Sequence, residues 1–344
     1  MTQSSFPKLG LKLGLDLGLK VGFLALAVCC GLGAAGQTAQ AQTKVVLRTD
    51  FKFNGYDAPY VLAIARGYYK AVGLDVSVEQ GQGSSTTVQT VASGVDTFGL
   101  ADSGTAVLGI STQNVPVKIL AVYSQTNTMG LIYHADDNFD GKLPSMKGRI
   151  VISSAGSADA KLMEPTLATA GMTTNDVTMQ LVNIAARVPL FLQTPKAFLT
   201  GFETGDLLRA RLKEPNAKYI PYAKYGIVSY GTGLIVSTET LAKSPDMVRK
   251  FVAASQKGWE DAAKDPNAAI DASLKVYPDL NRDFLLAGLK VSLEDELHTP
   301  ATVGHPVGWT SEEDWKKMLA ILAKYSGITP KAPSAYYTNE FIVP

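Results

Sequence analysis

The sequence is poor in the residue types that carry covalent and metal chemistry. Of 344 residues only two are cysteine, the adjacent pair Cys29 and Cys30, and only three are histidine, His134, His298 and His305. Both cysteines fall in an apolar stretch near the start. A mature chain beginning after residue 41 would have no disulfide, no thiolate nucleophile and no cysteine-bound metal. Three scattered histidines do not make a zinc site. There is no Gly-x-Ser-x-Gly turn of the kind that presents a nucleophilic serine. Gly81-x-Gly83 lacks the third glycine and the spacing of a dinucleotide fingerprint. Charge of one sign is also missing: the formal net charge is +1 and no lysine–arginine cluster occurs. Neither nucleic acid nor an anionic membrane is therefore expected as a partner. No apolar run is long enough to cross a bilayer, which takes roughly 20 residues as a helix.

What the N-terminus does have is an order. Lys8, Lys12 and Lys20 precede an apolar stretch from Val21 to Leu32, and small residues then lead to Ala39-Gln40-Ala41. Basic, apolar, then small-x-small is the pattern of a cleaved signal peptide. Residues 1–41 are read as that leader, and the remainder as an exported, periplasmic protein. Val28 before Cys29 is a poor fit to a lipid-attachment site. The leader carries three lysines and one aspartate, so its removal takes the net charge from +1 to −1. About 300 remaining residues suffice to bury a core without disulfides.

Past residue 41 the pattern alternates. β-rich runs at 44–49, 74–78, 97–101 and 117–124 are separated by helical spacing at 58–69, 84–93 and 103–113. A polar, turn-rich segment at 134–147 reads as a crossing into a second α/β unit. Strands are expected there at 149–153, 177–183 and 197–202, with helices at 159–170, from 188 and at 206–213. A strand at 233–237 closes that unit, and amphipathic helices fill 246–264, 266–277, 281–297 and 311–325. The expected organisation is α/β with two lobes, each a mostly parallel sheet flanked by helices: 42–135 in the first lobe, 136–232 in the second, and 233–344 returning to the first. Hinges are expected near 134–137 and 230–234.

In open α/β sheets, ligands bind beyond the carboxyl ends of the strands. Four loops there share one chemistry. The first, 49–58, offers Phe51, Asn54, Tyr56 and Asp57. The second, 81–86, has glycines for close approach and Ser84, Ser85 and Thr86 at a helix start, where polar or anionic groups are favoured. The third has Asp102 and Ser103. The fourth, 153–159, has Ser154, Gly156 and Ser157. Each loop by itself also reads as an ordinary helix-capping turn, and Asp57 as either a ligand acceptor or a cap. The second unit adds Arg187, Phe202, Thr204 and the glycine-flanked Tyr230. A cation at a helix start opposes the helix dipole. Arg187 is therefore read either as paired with Glu203 or a surface acid, or as a planar fork for a carboxylate or sulfonate.

Five segments in sequence carry a resemblance: Asp50-Phe51-x-x-Asn54, Gly67-Tyr68-Tyr69-Lys70-x-x-Gly73-Leu74-Asp75-Val76, Gly81-x-Gly83-Ser84, Phe98-Gly99-Leu100-Ala101-Asp102, and Arg187-Val188-Pro189 ahead of Thr200-Gly201-Phe202. Together they resemble the periplasmic solute-binding proteins of the NMT1/THI5-like, sulfonate–nitrate–taurine–pyrimidine group. The resemblance implies a type II periplasmic-binding-protein fold, two crossover segments, a small-molecule ligand between the lobes, and docking of a monomer on an ABC permease and ATPase complex. No cofactor is implied. Departures bear on the ligand. Phe51 and Asp57 stand where pyrimidine-binding members often have Trp and His, and Pro195-Lys196-Ala197 replaces Val-Asp-Ala. The aromatic loops with Arg187 suggest a flat ring, heteroaromatic or bearing an acid group. Pyrimidine synthases of the same superfamily use an active-site His, a PLP-binding Lys and a Cys-rich motif. None of the three histidines here lies in the four loops, so a catalytic role is not expected. A ligand sensor of the same fold is the other reading.

Overall fold

The computed structural model describes residues 42–344; the expected signal peptide, Cys29 and Cys30 lie outside them. The chain opens with β1 (Thr43–Arg48), α1 (Ala58–Ala65), α2 (Tyr68–Ala71), β2 (Leu74–Glu79), α3 (Ser84–Ala92), β3 (Phe98–Asp102), α4 (Ser103–Gln113) and β4 (Val117–Val122). It continues through β5 (Met129–Tyr133), β6 (Ile150–Ser153), α5 (Ala158–Ala168), β7 (Thr178–Leu181), α6 (Arg187–Gln193), β8 (Phe198–Phe202), α7 (Leu208–Arg211) and β9 (Lys218–Pro221). Then come β10 (Thr232–Ser237), α8 (Thr238–Lys243), α9 (Pro245–Lys264), α10 (Pro266–Val276), α11 (Arg282–Val291) and α12 (Glu312–Ser326), with a π-helical turn at Ser292–Glu296 after α11.

Two five-stranded sheets result, in the orders β2-β1-β3-β10-β4 and β7-β6-β8-β5-β9. The orders have the same form. In each, three parallel strands are followed by one antiparallel strand: β10 runs antiparallel to β3 and β4, and β5 to β8 and β9. That antiparallel strand is the one by which the chain enters from the other sheet. The fold is mixed α/β, with helices against both sheets.

One strand departs from the sequence reading. β5 already belongs to the second sheet, so the chain leaves the first sheet between Val122 and Met129. The expected hinge at 134–137 and the lobe boundary at 135 come too late. Met129–Tyr133 is buried along its whole length. It lacks the polar alternation of a half-exposed strand, as β3 and β10 do, and it follows β4 with no helix between. The second passage, 222–231, joins β9 to β10. The terminal helices pack mainly on the first sheet. Phe251 of α9 stacks on Phe98 of β3 at 3.9 Å between centroids, and Trp259 stacks on Tyr123 at 5.0 Å.

Candidate functional site

Capping chemistry builds the strand-end loops. Asn54 Oδ1 accepts the Tyr56 amide at 2.8 Å, while Asp57 Oδ2 accepts the Asn54 amide at 2.9 Å. This reciprocal box fixes the turn after β1. Asp102 Oδ1 accepts the Thr105 amide at 2.7 Å and starts α4. Ser157 caps α5. These caps hold the loops over one cleft between the sheets, whose interatomic space is about 620 Å³, open solvent at its edge included.

Eight of the expected residues line that cleft. Phe51, Asn54, Tyr56 and Ser84 come from the first-sheet side; Ser157, Arg187, Phe202 and Thr204 come from the second. The other eight do not. Asp57 is fully buried as a cap, and its Oδ1 has no partner; burial pushes its carboxyl well above the usual range. Thr86 is exposed, and Ser103 donates to the Gly231 carbonyl at 2.7 Å. Asp102 is occupied as the α4 cap, and burial raises its carboxyl to about 7. Ser154 lines a neighbouring surface groove. Ser85 instead joins the two sides: its hydroxyl donates to the Gly156 carbonyl at 2.7 Å and accepts from Lys161 Nζ at 2.8 Å. Tyr230 faces α12, where its ring lies 5.0 Å from Trp315 and its hydroxyl accepts the Ser311 amide at 2.9 Å.

Arg187 is the largest correction. It is 2% exposed and bound on both sides by buried carboxylates. Its Nη1 donates to both Asp159 oxygens at 3.1 and 3.0 Å, and its Nε and Nη2 donate to Asp206 at 3.2 and 2.6 Å. The fork expected to be free for an acid group is occupied, and its partner is neither Glu203 nor a surface acid. Burial would lower the guanidinium pKa, but the two carboxylates reverse this and raise it. Burial would likewise raise Asp159, and Arg187 holds it below its ordinary range. This double pairing outweighs the helix-start penalty of about 0.3–1 kcal/mol.

The cleft holds charged residues that the sequence reading passed over. Asp50 and Glu296 line it, and neither is ion-paired among the described residues. Burial raises Asp50 to about 6 and Glu296 to about 7. Thr128 Oγ1 donates to Glu296 Oε1 at 2.6 Å. Arg209 lines the cleft too, with its guanidinium carbon 5.8 Å from the Phe51 ring centre and 4.9 Å from that of Phe284; burial lowers its pKa. Asp50 sits in a loop already under suspicion. Glu296 arrives from the far C-terminal region through a π-turn, and no local pattern announces it. None of the three histidines lines the cleft; His134 instead bridges Glu214 Oε2 and the Thr194 carbonyl at 2.8 and 3.0 Å. No cluster of metal-ligating side chains occurs among the described residues.

Comparison with known proteins agrees with this architecture. The chain is 26% identical to the riboflavin-binding protein RibY of Chloroflexus aurantiacus, over 87% of this chain and 86% of that one. It is 22% identical to the formylaminopyrimidine-binding protein of Halalkalibacterium halodurans, covering 87% and 90%. It is also 24% identical to the 4-amino-5-hydroxymethyl-2-methylpyrimidine phosphate synthase THI11 of Saccharomyces cerevisiae, covering 87% and 88%. Among solved structures, a protein of Bordetella bronchiseptica RB50 superposes with a TM-score of 0.68 at 18% identity, covering 88% and 96%. The alkanesulfonate-binding protein SsuA of Xanthomonas axonopodis pv. citri, bound to MOPS, does so at 0.64 and 13%, covering 87% and 99%. These likenesses show the periplasmic-binding-protein fold. The NMT1/THI5-like family model matches residues 54–269, and the chain belongs to that family.

Proposed function

We propose that this chain is the solute-binding component of an ABC uptake system and that its cleft takes a flat heteroaromatic ring by hydrogen-bond donors on the ring edge, without catalysis. The supporting observation is the distribution of charge. Arg187 is neutralised by Asp159 and Asp206, while Asp50 and Glu296 line the same cavity with no cation bonded to them. Carboxyl groups accept from ring N–H and amino groups. An acid on the ring edge that faces these two carboxyls would meet like charge, while Arg209 lies where the cleft opens to the neighbouring surface. Phe51, Tyr56 and Phe202 supply aromatic faces for the ring. RibY and the formylaminopyrimidine-binding protein bear the names of heteroaromatic solutes, which supports the same class. In this reading the exported protein acts as a monomer and delivers its solute to a membrane permease.

A thermal-shift and calorimetry screen of residues 42–344 tests this. Riboflavin, aminopyrimidines and aromatic sulfonates are the probes. Donor-bearing rings are expected to raise the melting temperature, and Glu296→Gln to weaken the best of them at least tenfold, since a hydrogen bond to a charged group contributes about 1.5–3 kcal/mol. Preferential binding of a donor-free aromatic sulfonate, with Glu296→Gln unchanged, would overturn the reading.

A further inference from the structure

Phe51 and Ile184 line the ring cleft, and both also line an adjoining groove on the surface. The groove's walls include Val188, Pro189 and Leu192 of α6. Three cations line it as well: Lys52, Arg209 and Lys213. The one acid with them, Asp206, is already bonded to Arg187 through both oxygens. None of the three cations has an ion-pair or hydrogen-bond acceptor of its own among the described residues. Arg209 belongs to both spaces, since it lines the inner cleft and lies against Phe51. Charge is thus graded along one continuous path: Asp50 and Glu296 inside, Arg209 with Phe51 and Ile184 where the two spaces meet, and Lys52 and Lys213 outside.

From this division we infer a second subsite, the groove bounded by Lys52, Arg209 and Lys213, that holds an oxyanion (phosphate, sulfonate or carboxylate) on a tail extending from the ring. The ligand is then bipartite. Its donor-bearing ring lies between Asp50 and Glu296. Its linker passes Phe51 and Ile184, and its anionic end reaches the three cations. The subsite rests on the ring reading of the inner cleft. It also explains how a family fold can take an acid-bearing solute although Arg187 is closed to it. The acid belongs on the tail and not on the ring.

Two matched pairs of probes separate the subsite from the ring site. Riboflavin and flavin mononucleotide differ by one terminal phosphate. 3-Phenylpropan-1-ol and 3-phenylpropyl phosphate differ by one phosphate at the end of a flexible tail and ask for no ring-edge recognition. Lys52→Glu with Lys213→Glu reverses two exposed charges and leaves the inner cleft intact. In the wild type the anionic member of each pair is expected to bind at least tenfold more tightly, with the preference falling as salt rises. In the double variant that preference should disappear while the uncharged member binds as before. If riboflavin does not bind, the ring reading is at fault for flavins, and the phenylpropyl pair still decides the groove. An anion preference equal in wild type and double variant, or absent from both, overturns the subsite.

Discussion

Arg187 shows what a residue's neighbours add to its type. Its position ahead of Val188-Pro189 marked it as unusual, and that was legible because a cation at a helix start needs a reason. The reason lies 28 and 19 residues away, in Asp159 and Asp206, and no local spacing links them. Replacing Arg187 by Ala leaves two buried carboxylates facing each other. A loss of about 3–5 kcal/mol is expected, read as a lower denaturation midpoint in urea; a loss under about 1 kcal/mol would mean the carboxylates find other partners. Arg187→Ala is therefore a poor probe of binding. Glu296 and Asp50 give the cleft a pH dependence. Their folded pKa values, about 7 and about 6, lie above the ordinary carboxylate range because of burial. The folded state thus holds their protons more tightly than the unfolded chain does. Their stabilising contribution is complete below about pH 4 and is lost as pH rises through 6 and 7. Asp102, raised to about 7, adds to the same slope. Asp159 is depressed, so its effect falls at lower pH, outside this window. Melting temperature should fall between pH 5 and pH 8, and Glu296→Gln should flatten part of that fall. An identical profile in the variant would remove Glu296 as its source.

Among the elements, the alternation of helix and strand was legible wherever a helix or a turn-rich run separates successive strands. β3 and β10 are buried throughout and were legible too, whereas β5 was not, because it follows β4 after only six residues with no helix between to mark a new strand. The missed strand moved the passage between sheets to 123–128, and that segment carries part of the site. Ser124 lines the cleft, and the amides of Gln125 and Thr126 donate to the Glu296 carbonyl at 2.6 and 3.3 Å. The π-turn after α11 therefore clamps the passage with its backbone and presents a carboxyl to the cleft with its side chain. α11 itself is seated against the Asn54–Asp57 turn. A Cβ on Gly55 would come within 2.1 Å of the Leu285 carbonyl oxygen and 2.3 Å of the Leu289 amide nitrogen. Neither backbone atom yields without moving the helix. Gly55→Ala is expected to cost about 1–3 kcal/mol and to weaken ring binding as well, because Asn54, Tyr56 and Glu296 all shift. Calorimetric melting together with ligand titration checks both. Loss of stability with full affinity would show that α11 and the turn move independently of the cleft.

At the scale of the molecule, two sheets of matching order face one cleft, and each is entered by an antiparallel strand coming from the other. Among the described residues two chain passages join them, which is the connection a hinge needs. The contact at Ser85 argues for a closed arrangement here. It belongs to the first-sheet side, yet its hydroxyl bonds the Gly156 carbonyl and Lys161 on the other. Such a contact is lost on opening, so it favours closure along with any solute that touches both sides. The expected behaviour in solution is compaction when ring and tail are both bound. Ser85→Trp places a large ring where the two sides meet and leaves the residues lining the cleft unchanged. In small-angle scattering the wild type should contract with saturating ligand, and the variant should not. The variant should also bind more weakly, because a solute confined to one side forgoes the contacts of the other. Contraction of the variant to the wild-type dimension would place closure elsewhere. A wild type that binds without contracting would mean that the cleft is preformed and fills without domain motion.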